Sequence, residues 1–259
     1  MRLAPIGQCT VVFDPLLILI AAVFALAGFV KGVIGLGLPT VSIGLLAVAM
    51  PPAQALAIVI VPAIVTNIWQ TLVGGYLRDI LRRLWPLMLA TAIGIRAGAG
   101  LMTGPYAHHA TLVLGLLLLI YAGLGLSQAR FQVRPAHEKW VGGLVGLITG
   151  VVAAATGVQV IPSMPFMQAI GLEKDELVQA LGVFFTVATL AQAFNLTEAG
   201  LLSATTALPG AVAMATAFAG MFVGQLVRAR MDAAQFRRWF LVAMGLLGLY
   251  LAGATIASF

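Results

Sequence analysis

Apolar runs dominate the chain, and short polar stretches punctuate them. The runs fall at about 15–31, 35–50, 53–75, 85–102, 109–127, 140–156, 158–171, 177–195, 203–226 and 238–257. A helix needs about 20 apolar residues, within a range of about 17–25, to cross the hydrocarbon core of a bilayer. Most of the runs therefore predict membrane-spanning helices. Those at 35–50 and 158–171 are short, and predict re-entrant pieces or halves of broken helices.

Charge orients these elements. Three basic loops separate them, RDILRR (78–83), RFQVRPAHEK (130–139) and RARMDAAQFRR (228–238). The positive-inside tendency places all three in the cytoplasm. Residues 103–108, with His108, and 195–203 carry no Lys or Arg and are expected outside, where His108 and His109 are solvated. EKDE (173–176) then lies inside and both termini outside.

Composition agrees. The 259 residues are 61% hydrophobic and 8% charged, whereas a soluble domain has about a quarter of its residues charged. The net charge of +6 suits loops facing anionic lipid better than nucleic acid. With Cys9 alone there is no intramolecular disulfide and no cysteine metal cluster. The first apolar run lacks a small-residue cleavage site and is expected to stay as a membrane helix.

The halves resemble each other. A shift of 125 residues lays QALAIVIVPAIVTNIWQ (54–70) on QALGVFFTVATLAQAFN (179–195), and Gly32 on Gly157. One more residue of shift brings Gly94 and Gly98 onto Gly220 and Gly224. The loop charges are reversed: basic then neutral in the first half, neutral then basic in the second. Similar sequence with opposite loop charge predicts two inverted-topology repeats of about five helical segments each. Their expected bounds are 1–128 and 140–259, joined by a cytoplasmic linker at 129–139. The expected fold is an all-α polytopic membrane protein with broken or re-entrant helices at the midplane. The breaks correspond to GVIGLGLP (32–39) and TGVQVIPSMP (156–165).

Candidate chemistry concentrates at these breaks. All eight acids, including Glu138 and Glu198, fall at segment edges or in loops, while Lys31 and Arg96 fall inside apolar runs. A cation at the centre of a membrane helix costs about 2.5–3.5 kcal/mol on insertion scales, so it is expected to face a cavity or a partner. With no intramembrane carboxylate to pair with, the simplest partner is a mobile anion. Alternatively, Lys31 snorkels from the end of a short helix, and Arg96 reaches an interface or a carbonyl. Gly35 and Gly37 let a ligand approach the backbone, and a restarting helix offers N–H groups and a positive dipole end. Thr156, Gln159 and Ser163 in the second break can donate to an oxyanion. Thr66, Asn67 and Gln70, with Gln192 and Asn195 on the matched helix, either glue helices together or line a polar path. Gly94, Gly98, Gly220 and Gly224 fit close helix packing better than ligand contact. No set of residues has the spacing of a metal site or a catalytic centre, so neither a cofactor nor an enzyme is expected.

KGVIGLGLPTVSIGLLAVAMPPAQALAIVIVP (31–62), its second copy at about 146–195 and the scarcity of long loops resemble the TauE/SafE family of membrane transporters. The resemblance implies export of sulfur-containing anions, sulfite or organosulfonates such as sulfoacetate, across a bacterial inner membrane. It pins no binding residue. The chain departs from the usual glycine-rich pattern at GLGLP in the first break and AAATGVQ in the second. An anion channel of the same architecture is the alternative, and homo-oligomerisation stays open.

Overall fold

A computed structural model describes residues 14–104, 109–127, 132–202, 206–228, 230 and 232–257. Cys9 and His108 lie outside them. The described residues form ten α-helices and no strand. They are α1 (Pro15–Ile34), α2 (Leu38–Leu46), α3 (Pro52–Leu72), α4 (Leu77–Ala97), α5 (Ala110–Leu126), α6 (Glu138–Thr156), α7 (Ser163–Ala169), α8 (Lys174–Glu198), α9 (Ala207–Arg228) and α10 (Ala233–Ile256). A single 3₁₀ turn, Pro135–His137, precedes α6.

Among the described residues, six helices are long and apolar enough to cross a membrane: α1, α3, α6, α8, α9 and α10. α5 is apolar but has only 17 residues. α4 has 21 residues, but its first two turns carry Arg78, Asp79, Arg82 and Arg83. Here the structure corrects an expectation. RDILRR (78–83) is helix rather than loop, and so is the QFRR end of the third basic stretch. Hydropathy marks where a helix leaves lipid. Leu and Arg are good helix formers, and their backbone bonds continue into water. The two short runs are helical only over nine and seven residues. At about 1.5 Å per residue, each covers less than half of a bilayer core of about 30 Å.

The helices pair across the halves of the chain. α1 packs along α9, α4 along α6, α3 along α8 and α5 along α10. Glycines set the closest approaches. A Cβ on Gly32 would stand 2.9 Å from Gly224 Cα, and one on Gly94 would stand 3.0 Å from Gly150 Cα. Lipid is as apolar as leucine, so such backbone contact is what holds membrane helices together. Gly94, Gly220 and Gly224 thus serve close packing, and a Cβ on Gly98 would strike that of Ala154 at 2.6 Å. Phe24, Phe184, Ile20, Leu38 and Ile60 fill the interior, while Ile18, Leu89, Phe222 and Leu246 face outward as lipid-compatible surface.

Candidate anion site between two helix breaks

α1 ends at a glycine in the left-handed region. Gly35 has φ +90°, and its N–H donates to Lys31 O at 2.7 Å. Two residues later Gly37 has φ +106° and starts α2, with Pro39 in the first turn. Two left-handed residues so close together suit glycine alone. They fold α2 back beside the end of α1, next to Lys31.

Lys31 does not snorkel. It is 6% exposed, and its ammonium donates to Thr66 Oγ1 at 2.9 Å and Asn67 Oδ1 at 2.8 Å, both on α3. Thr66 can accept because its own proton goes to Pro62 O at 2.8 Å. Both partners are neutral, and neither ion pair among the described residues involves Lys31. One of its three N–H donors is left over.

The second break is built alike. Gly157 has φ +77°, and its N–H donates to Ala153 O at 2.7 Å. Lys31 and Ala153 thus each stand four residues before the glycine that ends a helix. The 125-residue shift instead places Thr156 opposite Lys31, nearly one helical turn away. Thr156 Oγ1 donates to Val152 O and accepts from Val158 N. Ser163 Oγ donates to Gln159 O at 2.7 Å. Both hydroxyls are spent on shaping the connector between α6 and α7.

The two breaks meet at a void of about 10 Å³, bordered by Lys31, Gly35, Gly37, Thr40, Asn67, Gln159 and Phe185. Phe185 lies near the middle of α8, deep in the bundle. Three buried polar atoms have no partner: Thr40 Oγ1, Asn67 Nδ2 and Gln159 Oε1. Each such orphan costs about 1–3 kcal/mol. Together with the spare N–H of Lys31, they describe a place that is short of a polar guest. Asn67 offers an N–H₂ and Thr40 a hydroxyl, and a half-turn of the Gln159 amide presents its own N–H₂. The set is rich in donors and positively charged, as an oxyanion requires.

The other expected residues lie elsewhere. Gln70 flanks the void, donating to Val178 O at 2.7 Å and Gly35 O at 3.4 Å, and so ties α3 to α8 and to the first break. Gln192 is buried between α8 and α6, donating to Ala153 O at 2.7 Å, with its Oε1 unpaired. Arg96 is not buried. Its side chain is 53% exposed and ion-paired with Glu198, with Asn195 Oδ1 accepting at 3.0 Å. Asn195 also donates to Ile95 O at 2.8 Å. The expectation that Arg96 is a buried cation facing a mobile anion fails: α8 runs on to Glu198, an acid at a segment edge, and carries it to the exposed Arg96 at the end of α4. Two residues of the void, Thr40 and Phe185, lie outside both the expected site residues and the two predicted breaks. Thr40 follows Pro39 on a nine-residue helix, a weak signal that was available. Phe185 gives none, being one apolar residue in an apolar helix.

No curated protein and no solved structure matched the chain. The family model described as sulfite exporter TauE/SafE matches residues 20–251, which include both breaks and every residue of the void. The chain therefore belongs to the TauE/SafE family of membrane transporters, and it is not an enzyme.

Proposed function

We propose that the protein is a secondary transporter that exports small sulfur-containing anions, sulfite or organosulfonates such as sulfoacetate, across a bacterial inner membrane by alternating access. The observation that carries this reading is the buried Lys31, which has only neutral partners and stands beside the orphaned Asn67 Nδ2 and Thr40 Oγ1. A fixed cation without a counter-ion is costly in a low-dielectric interior, and a mobile anion offsets that cost when it arrives. Family membership supports the substrate class.

Two inverted repeats, α1–α5 and α6–α10, are the device for alternation. Exchanging the halves turns the α1/α9 pair into α6/α4 and leaves the α3/α8 and α5/α10 pairs unchanged, in keeping with the helix pairing. The short helices α2 and α7 take equivalent places, each after a left-handed glycine. Charge enters from one half only, because Ala153 stands where Lys31 would.

By the measure on which about 10–15 Å³ holds one water, the void of about 10 Å³ has room for about a single water, and sulfite is larger, so the void must widen to take substrate. A void this narrow, with no room for a continuous file of anions, favours a carrier over an anion channel. Proteoliposomes loaded with labelled sulfite or sulfoacetate test the proposal. Saturable flux that Lys31→Met removes is expected; flux of a cation, with none of either anion, overturns it. Conductance in a planar bilayer far above carrier turnover would put the channel first.

A further inference from the structure

A second cavity lies at the end of the molecule where the three basic stretches converge. It has a volume of about 580 Å³, and Arg83, Gln132, Glu138 and Arg237 reach it from those stretches or their flanks. Its charges are unequally committed. Arg83 is spent: it makes a two-pronged pair with Glu138 at 2.8 and 2.7 Å and donates to Ile170 O at 2.8 Å. Glu138 is thereby neutralised, and no other acid borders the cavity. Arg237 makes no ion pair or hydrogen bond with the described residues. It leaves the cavity with one net positive charge, and the amide side chains of Gln132 and Gln168 also line it.

The cavity and the central void share a wall. Val160 borders the void and Ile161, the next residue, borders the cavity. The connector between α6 and α7 thus borders both. Leu124, Val133, Ile161 and Met164 add apolar lining to the cavity. Its volume falls in the range of about 300–1,000 Å³ usual for small-molecule sites and far exceeds what bare sulfite fills.

We propose that this cavity is a second anion-binding station in series with the central one. In it Arg237 and the Gln132 and Gln168 amides hold the oxyanion head of a short organosulfonate, and the apolar lining takes its carbon chain. The station captures substrate at the cytoplasmic face and presents it to the α6–α7 connector. The inference rests on the anion-transport reading above.

Sulfoacetate flux entering from the basic face of proteoliposomes separates the two ideas. Arg237→Gln is expected to raise KM about fivefold to twentyfold while leaving kcat unchanged, and Arg237→Lys to recover most of the loss. The increase should shrink at high ionic strength, where a mouth charge is screened. Arg238→Gln, which removes an adjacent arginine that does not border the cavity, should leave KM near the wild-type value. An unchanged KM in Arg237→Gln, or an equal rise in Arg238→Gln, overturns the capture station and leaves the transport reading standing. Wild-type protein without anion flux overturns the transport reading itself. A KM effect seen with phosphatidylglycerol but absent in pure phosphatidylcholine would assign the cavity to a lipid headgroup and likewise overturn the station.

Discussion

The Lys31 ammonium stands 2.8 Å from Asn67 Oδ1, while the nitrogen of the same amide, buried beside it, has no partner. The pair thus presents a charge and a free donor to one small void. A structural pairing would instead have matched the lysine with a carboxylate.

Lys31→Met removes the charge and keeps most of the volume. Folding should hold or improve, because an uncompensated buried cation disappears. A charge-assisted hydrogen bond is worth about 1.5–3 kcal/mol, so anion affinity should fall about tenfold to a hundredfold. Ligand-dependent thermal shifts in detergent read both quantities. Lower stability with intact affinity would make Lys31 structural.

Asn67→Asp places a carboxylate where Lys31 already donates. The internal ion pair should add about 1–3 kcal/mol of stability and substitute for the substrate, so that binding is lost. The melting temperature should rise while the sulfite-induced shift disappears. A variant that binds anion as the wild type does would show that Lys31 is not the recognition charge.

Gly35→Ala tests the first break. A Cβ there meets nothing within 4 Å, so only the φ of +90° resists it. The left-handed region costs an L-residue about 1–2 kcal/mol, and Asn tolerates it better. Thermal melts should rank the wild type above Gly35→Asn, and that above Gly35→Ala.

Gly150→Ala and Gly143→Ala should act in opposite directions on one helix. A Cβ on Gly150 would lie 2.3 Å from Thr91 O, whereas one on Gly143 meets nothing within 4 Å. The first must push α4 and α6 apart, at a cost of about 1–3 kcal/mol or more. The second should gain up to about 1 kcal/mol from helix propensity. Unfolding in detergent measures both.

Arg96→Gln and Glu198→Gln should each cost under about 1 kcal/mol, since exposed ion pairs contribute little. Their side chains are 53% and 46% exposed. Sulfite affinity should not change. A loss comparable to that of Lys31→Met would return Arg96 to the substrate path.

Much was determined by the sequence alone. Span lengths and the two breaks are local properties: an apolar run needs about 20 residues to cross lipid, and glycine and proline decide where a helix can continue. The one-sided charge was legible too, as Lys31 is a cation in an apolar run with a partner glycine tract but no partner cation. Only the tertiary structure decided what each polar group meets. Lys31 and Arg96 look alike in sequence. Yet α3 offers Lys31 only Thr66 and Asn67, while α8 carries Glu198 to Arg96. Thr156 and Ser163 look like donors for a ligand, but backbone carbonyls four residues earlier accept their protons. Such pairings depend on which helices cross and at what height. Packing between segments distant in the chain sets those crossings, and hydropathy does not encode them.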